Sequence, residues 1–144
     1  MLPQNTAFGK LEIFEIYEFF NMPVLFACRN RAGHTYLAVW IDETEENNIW
    51  LYVALSERRF QQLRLAKFDL HDAFTQAEDE VAFQVTVKKM SNTAKIKVVP
   101  ASTLPQEWTP LPGNYLDIPG SLPSIVWENV DQRDLQGARL QPSP

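Results

Sequence analysis

The sequence predicts an α+β domain: an antiparallel sheet of five to six strands, one helix and one short helical turn joining its two halves, and a Pro-rich C-terminal segment wrapping the outside. Three observations lead there. Val, Ile, Phe, Tyr and Trp are dense from Leu11 to Leu55, and these residues favour pleated chain. Val81, Phe83, Val85 and Val87 alternate strictly with Ala82, Gln84, Thr86 and Lys88, the period of a half-buried strand. Eight of the ten prolines stand at or after Pro100, and because each removes a ladder donor, the final third cannot supply central strands.

The first strand is expected at about Leu11 to Phe20. Glu12, Glu15 and Glu18 recur every third residue, a helical spacing, whereas Ile13, Ile16 and the aromatic residues favour extended chain; a β-bulge would reconcile the two. The second and third strands, Val24 to Arg29 and His34 to Ile41, flank Asn30-Arg31-Ala32-Gly33, where Asn and Gly supply the dihedrals of a short hairpin. The fourth runs from Ile49 to Leu55. Ser56 can cap a helix from Glu57 to about Ala66, with Phe60 and Leu63 toward the sheet. Asp69 opens the short helical turn, with Leu70 and Phe74 as its apolar contacts and Asp72 placed at the positive end of the helix dipole. After the acidic turn Glu78-Asp79-Glu80 comes the alternating strand, and Lys95 to Val99 returns as its hairpin partner. The Pro-rich segment carries Trp108, Leu111, Tyr115, Leu116, Ile118, Ile125, Val126 and Trp127, too apolar for a solvated tail. The expected organisation is therefore one globular domain over residues 1–130, irregular from about 100, with a frayed tail over 131–144.

Composition narrows the function classes. A 144-residue chain that is 45% hydrophobic can bury one core. It has no apolar run long enough to span a bilayer and no signal-peptide pattern at MLPQNTAFGK, so no membrane role and a cytoplasmic address are expected. One cysteine excludes an internal disulfide framework. A net charge of −5 argues against nucleic acid as a partner.

The hairpin loops fix an expected register, since side chains alternate faces. If Asn30 to Gly33 is the loop, Arg29 sits opposite His34 and Cys28 opposite Thr35; if Asp42 to Asn48 closes the next hairpin, Trp40 faces Trp50, Ala38 faces Tyr52 and Tyr36 faces Ala54. One face then carries Val24, Phe26, Cys28, Leu37, Val39, Ile41, Ile49, Leu51, Val53 and Leu55, an aliphatic core. The other carries Arg29, His34, Tyr36, Trp40, Trp50 and Tyr52, with small residues between. These six form the candidate binding face: broad rings to anchor a partner and Arg29 to fix a carboxylate or phosphate. Its structural alternative is a second packed surface, covered by the Pro-rich segment or by a twofold partner. A bulge near Gly33 or Asn47 would exchange the faces locally.

Reactive constellations are not found. The expected register puts Cys28 and His34 on opposite faces, which separates a thiol from its only near base. Two histidines and one cysteine, at no metal-ligand spacing, predict no metal site, and the run Asp42 to Asn48 lacks the central Gly and distal Glu of a calcium loop. The glycines are too scattered to cradle phosphate or build a nucleophile elbow, so no cofactor and no catalytic residue are expected. Arg58 and Arg59, in a helical first turn, point to nearby carboxylate partners or to a binding role.

Asn30 to Gly33 followed by Tyr36-Leu37-Ala38-Val39-Trp40-Ile41-Asp42, and Trp50-Leu51-Tyr52-Val53 leading through Ser56-Glu57-Arg58-Arg59 to Asp69-Leu70-His71-Asp72-Ala73-Phe74, resemble a group of small bacterial domains of unknown function. The resemblance covers about residues 8–87. It implies a bacterial, cytoplasmic setting and transfers no activity or site. The expected role is noncatalytic recognition of another protein or of a second copy of the chain, through the aromatic face. Two alternatives stand beside it: an acidic inhibitor of the immunity or antitoxin kind, blocking a basic site with the tip at Asp42 to Glu46, and a small hydrolase or lyase using His34 or His71 with neighbouring carboxylates.

Overall fold

In the computed structural model, the structure describes Leu2 and residues 7–118. Six strands follow one another and pair antiparallel in chain order: β1 (Leu11–Phe19), β2 (Pro23–Asn30), β3 (Thr35–Glu43), β4 (Asn47–Leu55), β5 (Val81–Lys88) and β6 (Ala94–Pro100). Between β4 and β5 lie α1 (Glu57–Arg64) and α2 (Leu70–Thr75), and two single 3₁₀ turns, Ala101–Thr103 and Gln106–Trp108, follow β6. This is the α+β arrangement the sequence predicts, with six strands.

Caps hold the helical connection. Ser56 Oγ accepts the Arg59 amide at 3.1 Å, while the Glu78 carboxylate accepts both the Ser56 amide and the Ser56 hydroxyl at 2.8 Å. Asp69 caps α2 by accepting the Asp72 amide. The expected carboxylate partners of Arg59 turn out to be carbonyls: its Nη2 donates to Asp72 O and Gln76 O at 3.2 and 2.7 Å, closing the C-terminal turn of α2, and its guanidinium lies 4.3 Å from the Phe68 ring centre.

β1 resolves the conflict between its glutamate spacing and its β-branched composition. Its ladder with β2 shifts between Ile13 and Glu15 and again between Ile16 and Glu18, so Phe14 and Tyr17 are bulge residues. A strand that repeats strictly by two, given an extra residue twice, repeats by three. Glu12, Glu15 and Glu18 therefore share the side of the sheet that bears the helices, while Ile13 and Ile16 pair with Cys28 and Phe26 on the opposite side. Glu15 forms an ion pair with Arg64 of α1 and accepts the Tyr17 hydroxyl.

The β2–β3 register corrects the expected one. Arg29 pairs with Thr35 and Cys28 with Tyr36, one residue away from the expected pairing with His34 and Thr35. The loop has three residues rather than four: the Asn30 amide donates to His34 O, the Asn30 side chain accepts the His34 amide, and Gly33 at φ +90° takes the left-handed position that closes such a hairpin. An odd loop reverses the parity of β2. Phe26 and Cys28 consequently join the aromatic side, and Leu25 and Ala27 replace them among the aliphatic residues. The β3–β4 pairs Trp40–Trp50, Ala38–Tyr52 and Tyr36–Ala54 are as expected, up to a bulge at Ile41 beyond which Asp42 pairs with Ile49.

Two cores result, one on each side of the sheet. On the helix side, Leu25, Ala27, Leu37, Leu51, Val53 and Leu55 pack against Phe60, Leu63, Leu70, Ala73 and Phe74. On the other, Phe26, Cys28, Tyr36, Ala38, Trp50, Tyr52, Val85 and Val87 are buried with Phe8 and Leu11, flanked by Ile13 and Ile16 of β1 and Ala94 and Ile96 of β6. Both edge strands contribute side chains to this second core. The Pro-rich chain through Ile118 lies on the helix side, where Leu116 is buried and Leu104, Trp108 and Ile118 pack against the first core. The rest of the expected wrap, including Ile125, Val126 and Trp127, and the expected tail over 131–144 lie outside the described residues.

Candidate functional site

The six residues of the expected binding face separate. Trp50 and Tyr52 are 1% and 0% exposed and Tyr36 8%, closed in by Phe8, whose ring centre lies 4.6 Å from that of Tyr36, 5.6 Å from Tyr52 and 5.1 Å from Phe83. Among the described residues, Phe8 and side chains of the edge strands pack on the aromatic side, while the Pro-rich chain through Ile118 packs on the other. Burial pushes the Tyr52 phenol well above its ordinary range, and neither its hydroxyl nor Trp50 Nε1 has a hydrogen-bond partner. Trp40 is half-buried, with Nε1 donating to Asn48 Oδ1 at 3.1 Å. His34 is exposed in the hairpin loop. Arg29, through the corrected register, lies on the helix side, donating Nε to Thr35 Oγ1 at 3.3 Å and resting 4.2 Å from the ring centre of Phe14.

Cys28 is fully buried, and burial pushes its thiol up to about 12. Burial disfavours its thiolate, whereas the expected separation from His34, opposite faces in the Arg29–His34 register, fell with that register. His71 places Nδ1 3.0 Å from Pro110 O; a carbonyl only accepts, so the proton sits on Nδ1. In the β3–β4 tip, Glu43 pairs with Lys89 at 2.7 Å and Thr44 closes the turn on Asn47. No cluster of three or more His, Cys, Asp or Glu suited to a metal ion occurs among the described residues.

An open groove of about 520 Å³ lies on the helix side instead. Leu25, Val39 and Ile41 of the sheet and Leu70 of α2 supply its apolar lining; Trp108, Thr109, Pro110 and Tyr115 stand across from them. Glu18 and Glu107 bring carboxylates to it, and Trp40 is the one expected site residue that borders it. Its outer wall is tied to α2 at three points. Asp69 Oδ2 accepts the Gly113 amide at 2.8 Å, the Leu70 amide donates to Asn114 O at 2.8 Å, and His71 holds Pro110 O. The Gly113 and Asp72 amides hold the Asp69 carboxyl below its usual range. Gly113, at φ +93°, allows the sharp return of the chain.

A family model matches residues 1–129 of the sequence and is described as a family of unknown function, DUF6575. The chain belongs to that family. The DUF6575 match extends past the resemblance at residues 8–87 and takes in the whole sheet, both helices and the Pro-rich wall of the groove. No curated protein and no solved structure matches the chain.

Most of the groove escaped sequence reasoning because its residues come from β1, β2, β3, α2 and the Pro-rich segment, and no local spacing links them. The available signal was the apolar content of 104–118 beside so many prolines, which marks chain held against a surface. No helix among the described residues is long and apolar enough to cross a membrane.

Proposed function

We propose that this chain is a noncatalytic recognition domain that holds an extended, apolar and cationic segment of a partner protein in the groove between the sheet and residues 107–115. One observation carries the reading: an open groove with an apolar floor, three aromatic side chains, Trp40, Trp108 and Tyr115, and two carboxylates, Glu18 and Glu107. The floor favours aliphatic or aromatic side chains, Trp108 and Tyr115 offer flat surfaces to a cation, and the carboxylates favour Lys or Arg on the incoming segment. The net charge of −5 adds long-range attraction for such a partner. Pinning of the wall by Asp69, Leu70 and His71 lowers the ordering cost of binding.

Selection of a random peptide library on the full chain tests it. Enriched peptides should combine Lys or Arg with aromatic or aliphatic residues, and their affinity should fall when Trp108→Ala or the pair Glu18→Gln and Glu107→Gln is introduced, with the far-ultraviolet circular dichroism unchanged. Peptides that bind all variants equally would place recognition elsewhere.

A further inference from the structure

A second concavity, of about 150 Å³, lies toward the other end of the β1–β2 ladder, lined by Lys10, Glu12, Ile13, Phe14, Arg29, Asn30 and Arg31. In a chain of net charge −5, three of thirteen basic residues meet here around one carboxylate. Among the described residues, Lys10, Arg29 and Arg31 have no carboxylate within ion-pair distance, although Glu12 stands opposite Arg29 in the ladder.

The central cation is held in place. The first β1 bulge turns Phe14 to the helix side, where its ring packs edge-on against Phe60 and underlies the Arg29 guanidinium. Arg29 Nε is engaged by Thr35, which is buried, so the outer fork of the guanidinium is the part left to meet a ligand. Asn30 donates its side-chain amide to Phe8 O at 2.8 Å, fixing the chain that leads to Lys10. A stacked, half-buried guanidinium with two flexible cations beside it is suited to a bidentate oxyanion.

We propose that Lys10, Arg29 and Arg31 form a binding site for a phosphate group, carried free or as a monoester. Charge selects this ligand over a lone carboxylate: three cations less the Glu12 carboxylate leave two positive charges, matched to a phosphate that carries about two negative charges at neutral pH. The site is separate from the groove and does not depend on the peptide reading.

Nuclear magnetic resonance titration of the ¹⁵N-labelled full chain, at constant ionic strength, tests it with inorganic phosphate, a phosphoserine peptide and acetate. Phosphate should produce saturating shifts at Lys10, Phe14 and Arg29 to Arg31. Replacing the two exposed cations in Lys10→Gln with Arg31→Gln should weaken binding about five-fold, Arg29→Lys should weaken it despite keeping the charge, and Glu12→Gln should strengthen it. Tighter binding of the phosphoserine peptide would identify a modified protein as the source of the group; equal binding would identify free phosphate, and either supports the site. No saturable shift with either phosphate probe, an equal response to acetate, or an unaltered titration in the double variant overturns the proposal.

Discussion

Arg59 shows how one side chain can organise a connection. It bridges the start of α1 to the last carbonyls of α2 and stacks on Phe68, so Arg59→Ala removes two charge-assisted hydrogen bonds and a ring contact together. The expected cost is roughly 1–3 kcal/mol in urea unfolding, and Arg59→Lys should recover only part of it because an ammonium cannot reproduce the planar fork. Cys28 gives a second test at this scale. Its thiol should resist a disulfide reagent at pH 8 in the native state and react on unfolding; fast native reaction would contradict its burial. Because its folded value is raised, the unfolded thiol ionises first. This contribution to stability is complete below the ordinary value of 9.0 and is lost as the pH climbs toward about 12.

At the scale of elements, nearly every strand and helix was legible, because hydrophobic period and cap chemistry are local. The Ser56 and Asp69 caps, the buried Phe60 and Leu63, and the alternation of β5 follow from neighbouring residues. Register was less legible. The same Asn30-to-Gly33 sequence suits a three- or a four-residue loop, and the choice, made by Asn30 bonding to His34, changes the side on which all of β2 stands. The corrected register makes a specific prediction: Phe26→Ala should cost about 3–5 kcal/mol, while Val24→Ala, at a half-buried position outside both cores, should cost far less. The groove wall is an element-scale device as well. The lowered Asp69 value means that its contribution is present above the ordinary carboxylate value of 3.8 and is lost as the pH falls through the folded one. The protection factor of the Gly113 amide against hydrogen exchange should fall on acidification through that range, and this acid-dependent fall should vanish in Asp69→Asn.

Over the whole molecule, the six strands build two unlike sides. The helix side carries an aliphatic core, three aligned glutamates from the bulged β1, the cationic pocket near Glu12, the Glu15–Arg64 pair and the groove at Glu18. The aromatic side is interior, packed with Phe8 and with side chains of both edge strands. Sequence patterning identified the aromatic residues as a set but could not tell an open face from a closed one, since closure depends on a residue of the N-terminal segment and on both edge strands. The central claim is that accessible recognition surface lies on the helix side and that the aromatic side is core. Acrylamide quenching of two single-tryptophan forms of the full chain, one keeping Trp50 and the other Trp108, tests it most directly, with light scattering to confirm equal mass. Trp50 should be shielded at every protein concentration and Trp108 readily quenched until a selected peptide protects it. Free quenching of Trp50 in a folded monomer would contradict the account.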